Sequence, residues 1–233
     1  MGIQVRKSKE RGFFNYSWLK THHTFSFAEY VNPNAMNFRA LRVLNENWVS
    51  PGVGFPVQAQ SEMEIFSIVI NGGLAHQDDR GHGSILRPGQ IQLLSTGSGM
   101  THSEFNASDR EDVHFLQIWM TPHTRKLKPS YQEKHFNPTT QHNQWGLIIS
   151  PDGKEGALHI HQDAFVYLAH LDEGKTLNYE LNDQRYGWLQ VIEGEILLNN
   201  EYLEAGDGAT LSHLFSVQIN AQSKAHLLFI DLS

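Results

Sequence analysis

The chain has 233 residues, 39% of them hydrophobic and 18% charged, which is the profile of a folded globular protein and excludes a disordered tail or a collagen-like repeat. Twenty-five acidic against eighteen basic side chains leave a formal charge of −7, so the chain repels phosphate backbones and anionic membrane surfaces, and neither nucleic acid nor membrane is an expected partner. Cysteine is absent, which excludes disulfides, thiolate metal ligands and thiol nucleophiles; with no apolar run of signal-peptide or membrane-spanning length, the expected setting is the cytoplasm.

Along the chain, the basic run at residues 6–11 is interrupted by Glu10 and reads as solvated surface. Helical periodicity is scarce. Short runs rich in β-branched and aromatic residues recur between Gly, Asn, Asp and Pro, and they predict strands at 38–44, 64–70, 91–95, 113–120, 146–150, 164–171, 188–192, 195–198 and 226–232. Two stretches share a layout. Residues 68–73 with 87–90, and residues 189–195 with 204–208, each read as a strand, a glycine turn, a returning strand and a second glycine turn. Such a repeat predicts an all-β chain of two antiparallel β-barrels, each closing its own edges. Residues 121–144 are polar and carry Pro122, Pro129 and Pro138, so they read as the connection, and the expected domains are 1–125 and 126–233. Two barrels in one chain could pack on each other, so a monomer is the expected state.

The chemistry concentrates in residues 52–64 and 97–106. Residues two apart on a strand share a face, so Gln58 and Gln60 project together, as do His102 and Glu104. Facing strands inside a barrel would bring all four heads into one cavity. The alternative for the glutamines is that they only satisfy one another; Glu64 fits either a cavity acid or a surface or ion-pair role. His22-His23 are adjacent and so face opposite sides. His159 and His161 alternate like ligands, but no second motif follows them, since residues 206–208 lead only to Ser212-His213-Leu214.

Gly52, Glu64, Gly99, His102 and Asn106 fall in register with the two motifs of the cupin superfamily, which the chain resembles. More narrowly, Trp18-Leu19, His23-Thr24-Phe25-Ser26-Phe27, Tyr30, Pro33, Leu41-Arg42-Val43 and Gly54-Phe55 resemble the N-terminal signature of the pirin family. The likeness continues through Gln117-Ile118-Trp119, residues 150–153 and His161-Gln162-Asp163. The resemblance implies a bicupin of the double-stranded β-helix or jelly-roll type. It implies a mononuclear metal centre of three histidines and one glutamate in the first barrel, and in some bacterial members the opening of quercetin by dioxygen. Its metal positions fall on Gln58, Gln60, His102 and Glu104.

Two of the three implied histidines are therefore glutamines, and an amide oxygen is a poorer donor to iron, nickel or copper than imidazole. Even an outer-shell change costs about 10–100-fold in affinity, so two lost ligands predict a cofactor state of no metal or a weakly bound iron or nickel. Glutamine also offers two N–H donors and an acceptor, which suits a metal-free polar cluster with His102 and Glu104. The expected function is a binding or regulatory protein with a small-molecule pocket. The alternatives are a quercetin 2,3-dioxygenase-like enzyme using His102, Glu104 and an amide oxygen, and an adaptor for a protein partner, as the resemblance to transcription-cofactor members implies.

Overall fold

The computed structural model describes residues 2–182 and 184–233. It divides into two compact units, an N-terminal one of Gly12–Phe136 with Ile160–Gln162, and a C-terminal one of residues up to Arg11, Asn137–His159 and Asp163–Ser233. This differs from a division at 125/126 in three places. The first strand, β1 (Ile3–Arg6), pairs within the C-terminal unit, while residues 126–136 and Ile160–Gln162 group with the N-terminal one.

The N-terminal unit carries β2 (Gly12–Asn15), β3 (Leu19–His23), β4 (Leu41–Val49), β5 (Gly54–Gln60), β6 (Glu64–Asn71), β7 (Leu74–Asp78), β8 (Gly83–Leu86), β9 (Gln90–Ser95), β10 (Met100–Asn106), β11 (Val113–Met120) and β12 (Ser130–His135). They form a sheet in the order β12-β9-β6-β11-β4-β3-β2 and a smaller one in the order β5-β10-β7-β8. The C-terminal unit carries β13 (Gly146–Ser150), β14 (Leu158–His159), β15 (Ala164–Leu171), β16 (Thr176–Glu180), β17 (Tyr186–Glu193), β18 (Glu195–Leu198), β19 (Glu201–Glu204), β20 (Gly208–Leu211), β21 (Ser216–Ala221) and β22 (Ala225–Leu232). Its sheets run β1-β20-β17-β22-β15-β13-β14 and β16-β21-β18-β19, so each unit repeats a large and a small sheet, nearly all antiparallel.

The interiors differ in a way that positions the site. In the C-terminal unit Leu189, Val191, Ile196, Leu211, Leu227 and Phe229 belong to one apolar cluster. On the inward-facing positions of the N-terminal unit's larger sheet, Leu19, Val49, Val69 and Phe115 belong to one apolar cluster and Ile65 and Leu94, with Met100, to another. Between them the cross-strand register lines up a polar row: Gln92 opposite Ser67, Ser67 opposite Gln117, Gln117 opposite Asn45, and Asn45 opposite His23.

Strands 113–120, 146–150, 164–171 and 195–198 match their predicted limits; the strand predicted at 38–44 runs instead over Leu41–Val49, and the others named in sequence shift by one or two residues at an end. The stretch 121–144 is not all connection, because β12 lies within it. As an edge strand with partly exposed residues throughout most of its length, it has the composition of a linker. The glycine turns of the repeat coincide conformationally: Gly72 and Gly194 have φ of 84° and 83°, and Gly89 and Gly206 both have 86°.

A Cβ on Gly194 would sit 2.1 Å from the Lys224 carbonyl oxygen, on top of the cost of a left-handed backbone, about 1–2 kcal/mol. Gly194→Ala is therefore expected to destabilise the chain by at least that amount, read as a lower urea midpoint. An unchanged midpoint would mean that this turn relaxes without strain.

Candidate functional site

β10 lies between β5 and β7, so its inward residues have neighbours on both sides. His102 is opposite Gln58 on β5 and Asp78 on β7; Glu104 is opposite Phe55 and His76. From Phe55 to Gln58 β5 advances three residues while β10 advances two, a bulge that falls at Pro56-Val57. Pro56 has no N–H to give a ladder, which suits it to such a position. The bulge puts Gln58 on the same face as His102. Beside it Gly54 must be glycine, because a Cβ there would lie 2.2 Å from the Glu104 carbonyl oxygen.

The resulting cavity has a volume of about 180 Å³, and Gln58, His102 and Glu104 line it together with Asn45, Gln117 and Trp119. Gln60 is not among its lining residues; it borders a neighbouring depression with Ser61, Asp79 and Met100. Three of the four sequence-predicted residues are thus brought together. The fourth is one step further along β5, opposite Met100.

Glu104 is the group around which the cavity is built. It is 2% exposed and accepts three hydrogen bonds: Oε1 from Gln92 Nε2 at 2.7 Å and from Ser67 Oγ at 3.4 Å, Oε2 from Gln117 Nε2. Trp119 Nε1 donates to Gln117 Oε1 at 3.1 Å, which fixes that amide with its NH₂ toward the carboxyl. Burial outweighs these donors and raises the Glu104 pKa to about 7.

His102 is 5% exposed; burial, and then the neighbouring His76, push it down to about 4, against the pull of Asp78, so its ring is neutral at neutral pH. Behind it, Tyr131 stacks on His76 and His82 at 5.2 and 5.0 Å, and Asp78 accepts from the His82 ring at 2.8 Å.

The remaining motif residues hold the frame. Asn106 Nδ2 donates to the carbonyls of Val49 and Glu111 at 2.8 Å each, while its Oδ1 accepts from Ser108 N. Glu64 is neither a cavity acid nor a surface group. It is 1% exposed on the face of β6 away from Ser67, accepts from Ser95 Oγ at 2.8 Å and His161 N at 3.3 Å, and has its pKa raised to about 7, chiefly by burial. His22 and His23 do face opposite ways, and His23 lines the cavity, its ring 5.2 Å from that of Phe27. His159 and His161 fall in different units.

Sequence reasoning missed Ser67, Gln92 and Gln117 as partners of Glu104. The signal was present: each is a polar residue in mid-strand among apolar neighbours, and 0% exposure for Ser67 and Gln92 shows that they face inward.

Among the described residues no group of three or more His, Asp or Glu side chains is arranged to hold a metal ion. One imidazole, one carboxyl whose two oxygens already accept hydrogen bonds from the chain, and one amide do not fit a centre of three imidazoles and a carboxylate.

Paired large and small antiparallel sheets in each half, with a polar cavity between the motif strands of the first, define a two-barrel cupin. The Pirin family profile matches residues 4–120, and the profile described as "Quercetinase C-terminal cupin domain" matches residues 147–232. The chain belongs to the pirin family. It is 36% identical over 230 residues to a protein named quercetin 2,3-dioxygenase from Escherichia coli K12, covering 99% of this chain and 98% of that one. It is also 36% identical to a pirin-like protein of Caulobacter vibrioides over 94% of this chain and 95% of the other. Among solved structures, Escherichia coli YhhW in complex with nickel(II) is similar, with a TM-score of 0.94 at 35% identity, over 99% of this chain and 98% of that one.

Because Glu104 titrates near 7 in the folded chain instead of near 4.5, its contribution to stability is fully present below pH 4.5 and is lost as pH rises through 7. Glu104→Gln removes that dependence. The difference in urea midpoint between variant and wild type is expected to move in the variant's favour from pH 4.5 to 7 and to level off above. A difference independent of pH would show that Glu104 has ordinary acidity.

Proposed function

We propose that the N-terminal cavity binds a small planar molecule bearing hydroxyl or carboxyl groups, and that the chain is a binding or regulatory protein with at most a weakly held divalent metal. The observation that carries this reading is that the chain's own amides occupy both oxygens of Glu104, while the residue facing His102 is Gln58 and not an imidazole. Phe27, Phe55 and Trp119 supply an apolar wall for a ring, and Glu104, titrating near neutrality, supplies a proton donor or acceptor for its polar edge. Size supports a small occupant. About 180 Å³ is less than the roughly 300–1,000 Å³ of pockets that engulf drug-sized ligands, so one ring or the edge of a larger molecule fits.

A second reading, a metal-dependent dioxygenase, is favoured by the relative named quercetin 2,3-dioxygenase and by the nickel(II) complex of YhhW. In that reading His102, Glu104 and an amide oxygen of Gln58 or Gln60 would hold the ion, after Glu104 gives up hydrogen bonds to Gln92 or Gln117.

Metal analysis and flavonol consumption separate the two. Protein purified without added metal is expected to carry far less than one equivalent of iron or nickel and to consume quercetin at background rate. Gln58→His with Gln60→His is expected to raise nickel affinity by roughly 10²–10⁴-fold, with Gln58→His giving the larger single effect because Gln60 lies outside the cavity. Stoichiometric, tightly held metal in the wild type, with turnover abolished by His102→Ala, would replace the binding reading with the enzymatic one.

A further inference from the structure

β4 carries two asparagines, Asn45 and Asn47, that both line the N-terminal cavity. They are two residues apart, so their side chains leave the strand on the same face. Both are buried, Asn45 at 3% exposure and Asn47 at 4%. Their amides are held differently. Asn47 Oδ1 accepts from Thr21 Oγ1 at 2.7 Å, a bond that fixes the orientation of the amide and turns its N–H donors the other way. Asn45 lies in the polar row between Gln117 and His23, yet its Oδ1 has no hydrogen-bond partner. A buried amide oxygen left unpaired is costly, whereas leucine would fill the same space without that cost, so the asparagine calls for a ligand that supplies a donor.

The open acceptor of Asn45 sits beside the N–H donors of the same amide. It therefore complements a molecular edge that offers a donor next to an acceptor, as carboxamides pair in bidentate fashion with the amino group and ring nitrogen of adenine. The rest of the lining selects against charge. Among the described residues no Lys or Arg lines the cavity, and its one carboxyl, Glu104, is itself buried. An ionised ligand carboxylate would enter beside another acid with no cation to pair with, and burying a charge in that way is costly. A neutral edge avoids this.

Resting on the reading that the cavity takes a small planar molecule, we infer that Asn45 sets its specificity and that the ligand class is a neutral single-ring nitrogen heterocycle with a lactam edge, a ring N–H beside a carbonyl. Lactams are the keto tautomers of ring hydroxyls, so this class lies within the hydroxyl-bearing ligands already proposed, with ionised carboxylates ranked below it. The lactam N–H donates to Asn45 Oδ1, and the lactam carbonyl accepts from Asn45 Nδ2. Asn47, on the same face of β4, offers its N–H donors to a second polar atom of the ring. Phe27, Phe55 and Trp119 wall the ring, and a volume of about 180 Å³ admits one six-membered ring.

The test titrates the full-length protein with four probes of nearly equal size, 2-pyridone, 2-pyrone, phenol and benzoate, read by calorimetry and by the indole N–H resonance of Trp119 in the cavity wall. 2-Pyrone replaces the lactam N–H with a ring oxygen. Wild type is expected to bind 2-pyridone about 10-fold more tightly than 2-pyrone, and more tightly than phenol or benzoate. Asn45→Leu is expected to bring 2-pyridone down to the affinity of 2-pyrone, to change phenol by less than about 3-fold, and to hold or raise the urea midpoint, because it removes an unpaired buried amide. A merely structural role would instead lower the midpoint and weaken every probe together. Comparing 2-pyridone with 2-pyrone probes the same contact in the unmutated chain, should the variant fail to fold. The proposal is overturned if Asn45→Leu keeps the preference for 2-pyridone, or if 2-pyrone, phenol or benzoate binds wild type as tightly; in the latter case the cavity still binds a small ring and only the class is wrong. If none of the four binds, the small-molecule reading of the cavity falls as well.

Discussion

Burying the carboxyl of Glu104 sets the terms for the rest of the N-terminal unit. A carboxyl that is 2% exposed cannot be left to apolar neighbours, so the interior opposite it has to supply donors. These come from the larger sheet as one rung of its register, Gln92, Ser67 and Gln117, continued by Asn45 and His23. On the same face of the sheet the rung lies between an apolar cluster containing Val69 and Phe115 and another containing Ile65 and Leu94. The second unit has the same paired sheets, and the apolar residues on the inward positions of its strands form one cluster. Its buried acids are held differently: Asp231 accepts from Tyr179 Oη and pairs with Arg185, and Asp207 pairs with Lys7.

Local backbone chemistry then aims the site. Gly54 lets β5 approach the carbonyl of Glu104 more closely than any side chain would permit, and the bulge at Pro56-Val57 restores Gln58 to the inward face. A one-residue change of register reverses which side chains face in. Without the bulge, Gln58 would leave the cavity. Gln58 and Gln60 share a face but not a cavity, because beyond the bulge the register is regular: only the first lies level with His102, and the second lies two residues further on, opposite Met100.

Much of this was legible in the chain. The alternation of β10 placed His102 and Glu104 together, and the glycine spacing of the two hairpins revealed the repeated architecture, down to matching left-handed turns at Gly72 and Gly194. Three things were not legible, each for a physical reason. β12 reads as a linker because an edge strand needs few apolar residues. The bulge in β5 has no periodic signal, and alternation alone does not say how far along β5 the cavity ends, so the separate placement of Gln58 and Gln60 emerges only from three-dimensional register. The pairing of His170 with His226 joins positions more than fifty residues apart, each an isolated histidine in an apolar strand, and no short motif links them.

The lowered acidity of Glu104 follows from its burial. A divalent ion beside a buried carboxyl is the largest local charge and would hold it ionised whatever the cost of desolvation. Three imidazoles recruit such an ion; amides at two of these positions do so far less well. Without an ion beside it, burial decides the proton equilibrium of Glu104, and three neutral donors only partly oppose it, which leaves the pKa near 7. That carboxyl lines a cavity walled by aromatic side chains that also holds a neutral imidazole. A ligand that offers a hydroxyl or carboxyl to that pair can share a proton with Glu104 in place of a metal bond, and an affinity that changes with pH around 7 would follow directly from that exchange.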